Sequence, residues 1–115
     1  MAPPSKLAVA TSSLMRLVKE EASYHKEMEQ QQVRIEKAGN STDENADYQL
    51  KQERQALEET KAVLPSIRQK ITDALAKLEE QLEANKDAGG TASTEEVTKA
   101  KDAVASAKKA IRESA

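Results

Sequence analysis

Five aliphatic residues recur at strict seven-residue spacing through the middle of this chain: Leu50, Leu57, Leu64, Ile71 and Leu78. Seven residues make nearly two turns of an α-helix, so all five lie along one slowly drifting stripe. The residues between them are mostly Gln, Glu, Lys, Arg and Ala, which lose least on becoming helical. No Gly interrupts the stretch from Tyr48 to Lys86, but Pro65 follows directly on the central Leu64. A proline inside a helix removes one backbone hydrogen bond and clashes with the preceding turn, so the pattern predicts a long helix bent at Pro65.

The flanking segments repeat the theme. Apolar positions Leu14, Leu17, Val18, Tyr24, Met28 and Ile35 mark a first helix. Glu21, His25 and Gln32 fall on or beside that stripe and weaken its middle. Thr11, Ser12 and Ser13 offer N-caps, and Ser5 offers an earlier one. With Pro3 and Pro4 ahead of them, residues 1–10 are expected to be flexible or frayed. Gly39 or Asn40 suits a left-handed C-terminal position, and Ser41 with Glu44 can form a capping box, with Asn45 as a rival cap. The paired Gly89 and Gly90 end the long helix. Ser93 with Glu96 opens a last helix whose face is Val97, Ala100, Val104, Ala107 and Ile111.

Helices are thus expected over about 12–37, 44–86 and 94–113, within a folded region of residues 11–114. Two short turns between three long helices give an all-α fold, an antiparallel up-down-up three-helix bundle with coiled-coil-like packing. Composition agrees, since 33% of residues are charged and 2% aromatic, and narrow Leu, Ile, Val and Ala seams are the core such a chain can build.

Most chemistry is excluded by what is missing. The chain has one histidine, no cysteine and no glycine-rich phosphate loop. Glu21 and His25 sit one turn apart, but a di-iron bundle needs a second Glu-x-x-His. Half-buried contact with a neighbour is the expectation for His25. Asp43-x-Asn45-x-Asp47 matches the opening of a calcium-binding EF-hand loop, yet Tyr48 replaces the required Gly and Arg54 the final Glu. No enzyme activity, cofactor or metal is expected. A net charge of −2 on a mixed background gives no nucleic-acid footprint. The apolar run in MAPPSKLAVA is too short for a signal peptide, and no stretch has the length of a membrane span. The sequon Asn40-Ser41-Thr42 is therefore read as turn chemistry, and the lysines of the last helix as a solvated face.

What remains points to binding. Tyr24 borders the first stripe, while Tyr48 and Val63 project away from the leucines. Glu27, Glu29, Gln30, Gln31, Gln52, Gln55 and Glu59 form a polar outer surface on the first two helices. Candidate partner-binding residues are Tyr24, Glu27, Glu29, Gln31, Tyr48, Gln52, Glu59, Val63 and Pro65. A generic coiled-coil adaptor that docks onto other helices is one reading of such a surface.

A more particular reading comes from resemblance. Arg16-Leu17-Val18-Lys19-Glu20, Tyr24-x-Lys26-Glu27, Gln30-Gln31 and Ile35-Glu36-Lys37 resemble the first helix of the tubulin-binding cofactor A family. Tyr48-x-Leu50-Lys51-Gln52, Leu57-x-Glu59-Thr60-Lys61 and Val63-Leu64-Pro65 resemble that family's pattern around its own mid-helix proline. The first loop differs in length and composition, and the last helix matches only as a helix. Where the family often has Asp-Cys after the proline, this chain has Ser66-Ile67, and its second turn is richer in small residues. The resemblance implies a cytoplasmic, cytoskeleton-associated chaperone, monomeric or homodimeric, working with other tubulin-folding cofactors. Members capture β-tubulin monomers released by the cytosolic chaperonin before α/β assembly, without nucleotide or metal.

Overall fold

A computed structural model describes residues 5–90 and 92–114. It contains three helices: α1 (Lys6–Gly39), α2 (Ala46–Asp87) and α3 (Thr94–Ser114). Among the described residues there is no strand, and the fold is an all-α three-helix bundle.

The ends of the helices follow from local hydrogen bonding. Ser5 caps α1: its hydroxyl accepts from the Ala8 N–H at 3.0 Å, and its carbonyl accepts from the Val9 N–H. Residues 6–10, expected to fray, are therefore helical, with Leu7 and Ala10 buried. Residues 1–4 lie outside the described residues. Apolar burial selects the earlier cap over Thr11–Ser13, because a later start would leave Leu7 and Ala10 without a helix to carry them inward.

At the first turn neither Gly39 nor Asn40 takes a left-handed backbone. Gly39 is still helical, and the chain leaves through bonds from Asn40 N–H to Glu36 O and from Ser41 N–H to Ala38 O. The Ser41–Glu44 capping box gives way to the rival cap. Ser41 Oγ accepts from the Asp43 N–H two residues on, a local turn, and Asn45 O receives the first helical bond of α2 from Gln49 N–H.

The second turn is a Schellman closure. Gly90 N–H bonds Asn85 O at 2.8 Å and Gly89 N–H bonds Lys86 O at 3.1 Å, with Gly89 at φ 88°. Ser93 Oγ then accepts from the Glu96 N–H, but Glu96 does not complete the box. Its carboxylate instead accepts from the Ser5 hydroxyl at 3.1 Å, tying the first turn of α3 to that of α1. Helices α1 and α3 hence start at the same end.

The chain divides into two compact units: residues 1–19 with 68–115, and residues 20–67. In the first, α2 and α3 run antiparallel, with Asn85 Oδ1 accepting from Ala92 N–H at the turn and Lys108 paired with Glu79 further along. Its buried residues are Leu7, Ala10 and Leu14 of α1, Ile71, Leu75 and Leu78 of α2, and Ala100, Ala103 and Ala107 of α3. The deepest part of α3 is thus all alanine. Val97, Val104 and Ile111 are only half-buried, and Ala103 belongs to the core face that the spacing had assigned to Val104.

The second unit is a hairpin of α1 and α2. Its antiparallel register is fixed by Gln31 against Thr60 and Arg34 against Glu53, where one number rises as the other falls. Ala38, Ala46, Leu57, Leu64 and Ile67 are its buried apolar residues. Glu21, Gln31 and Thr60 are buried beside them. Pro65 lies exposed inside α2, which runs as one helix from Ala46 to Asp87.

Candidate functional site

All nine candidate binding residues fall in the hairpin unit, residues 20–67. The two helices treat them differently. The candidates Tyr48, Gln52, Glu59 and Val63, with Gln55 of the polar outer surface between them, are spaced by four, three, four and four residues, and all five are exposed. At 3.6 residues per turn they fall within about 80° of arc. They form one continuous stripe along α2, with a lateral bond from Gln55 Nε2 to Glu59 Oε1 at 3.4 Å. Tyr48, in the first turn, is 66% exposed, and Val63, at the far end, 37%. A polar stripe with an aromatic at one end and an aliphatic at the other suits extended contact with a protein. Pro65 sits two residues beyond Val63 and so projects from another side of the helix.

The α1 candidates do not form a matching stripe. Gln31 is not on the outer surface at all: it is 4% exposed, and its Nε2 donates to Thr60 Oγ1 at 3.0 Å. The Thr60 hydroxyl in turn donates a hydrogen bond to Ala56 O at 3.0 Å. Gln31 is buried because it lies seven residues from both Tyr24 and Ala38, in register with the inward-facing positions of α1. Tyr24 is half-buried on that same side. Glu27 is tied up: Arg34 Nη2 donates to it at 3.1 Å while Arg34 Nε donates to Glu53 at 3.0 Å. These bonds, to Glu53 first and Glu27 next, raise the Arg34 pKa above its ordinary value, so this bridge holds a permanent cation. Glu29 is exposed on its own side of α1.

Sequence reasoning missed Arg34, which bridges the two helices, and missed the Gln31–Thr60 bond. The second had a signal, since both residues stand at half-heptad positions of their stripes. The first had none, because a bridging arginine is spaced like any solvated one.

His25 lies half-buried with Nε2 3.6 Å from the Glu21 carboxylate, one turn back. Among the described residues no group of three His, Cys, Asp or Glu is placed to hold a metal ion. Asp43 and Asn45 stand in the turn while Asp47 is already helical, so the acids of this segment do not form a loop around one point. No helix of the described residues is long and apolar enough to cross a membrane.

The described residues thus define an all-α three-helix bundle that carries an exposed polar stripe on α2. The chain is a member of the tubulin-binding cofactor A family, whose model matches residues 2–104. It is 31% identical to tubulin-specific chaperone A of Saccharomyces cerevisiae over 94% of this chain and 95% of that one. It is 33% identical to the Oryctolagus cuniculus tubulin-specific chaperone A over 71% of this chain and 74% of that one. Against the Arabidopsis thaliana tubulin-folding cofactor A it is 36% identical, over 71% of each chain. No significant match was found among solved structures. This family consists of chaperones and cofactors, not enzymes.

Proposed function

We propose that this protein is a tubulin-folding chaperone of the cytoplasm, which holds β-tubulin monomers released by the cytosolic chaperonin and hands them on, with other folding cofactors, for assembly with α-tubulin. Membership of a tubulin-binding cofactor family carries this reading. The α2 stripe from Tyr48 to Val63 supports a mode of contact. Gln52, Gln55 and Glu59 offer many modest polar contacts, each replaceable by water, and Tyr48 and Val63 anchor the two ends. Such a surface holds a near-native client and still lets it go.

The test is a pull-down from eukaryotic lysate with the intact chain as bait. Recovery of β-tubulin without α-tubulin is the expected result. Recovery of unrelated helical proteins and no tubulin would favour a coiled-coil adaptor. The stripe is tested by Tyr48→Ser combined with Glu59→Lys. Both side chains are exposed, so the fold is expected to survive, and capture should weaken roughly tenfold or more. Full affinity in that variant would remove α2's outer side from the contact.

A further inference from the structure

The buried polar side chains of the described residues all lie in the same unit. Glu21, Gln31 and Thr60 are interior residues of the hairpin, whereas the buried residues of the other unit are entirely apolar. Among the described residues, three of the four large apolar or aromatic ones left exposed, Val33, Tyr48 and Val63, are in the hairpin too. Two helices offer one mutual seam, and here part of that seam is an amide bonded to a hydroxyl. Such a bond gains little over the water it replaces, while the amide's buried Oε1 accepts from no protein group among the described residues. Among the described residues, every fully enclosed large aliphatic side chain, Leu14, Ile71 and Leu78, belongs to the other unit.

We propose that the hairpin, residues 20–67, opens locally ahead of the rest of the chain, and that the buried Gln31–Thr60 pair sets how readily it does so. Resting on the chaperone reading, we further assign the opened hairpin as the form that adapts to a client. Opening frees the inward-facing Tyr24, Met28 and Leu57 alongside the apolar residues already outside, giving a surface that can match an incompletely folded protein. The unit whose buried residues are apolar stays closed and keeps the chain folded meanwhile.

Native-state hydrogen exchange on the full chain tests this without any client. Amides of Met28–Ile35 and Leu50–Thr60 are expected to be at least roughly tenfold less protected than those of Leu75–Leu78 and Ala100–Ala107. Equal protection throughout overturns the proposal. Gln31→Met with Thr60→Val keeps the volume and removes the polar pair. It should raise hairpin protection about tenfold and leave the other unit unchanged. Thr60→Val alone leaves the Gln31 amide buried without its partner; it serves if the double variant fails to fold, and it should lower hairpin protection instead of raising it. No change in hairpin protection, or an equal rise everywhere, overturns the role given to the pair. The stiffened variant should capture β-tubulin several-fold less well than the natural chain. Undiminished capture overturns the assignment of the opened hairpin. If the natural chain shows the exchange pattern but captures no tubulin, the chaperone reading fails and the local opening stands.

Discussion

Gly89 closes α2 in a backbone conformation that an L-residue enters only at a cost. Its φ of 88° lies in the left-handed region, and nothing stands within 4 Å of where a Cβ would be. The cost of a side chain there is therefore conformational and not steric. Gly89→Ala is expected to destabilise the chain by about 1–2 kcal/mol, read as a lower urea midpoint at unchanged slope. Gly39 provides the internal control. It is helical, with open space around its Cβ position, so Gly39→Ala should stabilise by up to about 1 kcal/mol. The two glycines look alike in the sequence, and both seemed suited to end a helix. Only Gly89 does so through a left-handed backbone, because bonds from Asn40 and Ser41 already satisfy the last carbonyls of α1.

At the scale of the element, the seven-residue stripe of α2 was legible because leucine and isoleucine mark inward positions without ambiguity. Leu57, Leu64, Ile71 and Leu78 are all buried, and Leu50, the first of the five, is half-buried. Alanine carries no such mark. In α3 it fills core and surface alike, which is why Ala103 could not be told from Ala105 by spacing of larger residues alone. Its burial makes a sharp prediction. Ala103→Leu adds three carbons at a buried position of α3, and overpacking of this kind costs about 1–3 kcal/mol. Ala105→Leu, on the exposed side, should be close to neutral. Thermal unfolding of the pair separates the two positions. Pro65 runs the other way. It is exposed and denies α2 one backbone donor, so Pro65→Ala should raise stability by about 1–3 kcal/mol, less whatever the proline contributes by stiffening the unfolded chain. A loss of stability instead would mean that the proline ring is needed for packing.

For the molecule as a whole, the two units differ in charge as well as in core. Residues 20–67 hold eleven acids against six bases, and the remainder nine acids against twelve bases. A net charge of −2 conceals this partition, so the overall balance read from composition understated how differently the two units present themselves. The beginning of the chain was likewise undervalued, because prolines and a Thr-Ser-Ser cluster suggested a late helix start. Leu7 and Ala10 are core residues, and Ser5 links the first turns of α1 and α3. Deleting residues 1–13 should therefore cost much more than trimming a loose tail. Loss of a buried leucine alone is worth about 2–5 kcal/mol, and the cap a further ~1 kcal/mol. The urea midpoint should fall steeply, and the loss should be concentrated in exchange protection of Ala100–Ala107, which packs in the same unit. A deletion of residues 1–4 alone leaves Ser5 and Leu7 in place and should keep most of the stability. An unchanged midpoint in the longer deletion would mean that the first unit closes its core without the start of α1.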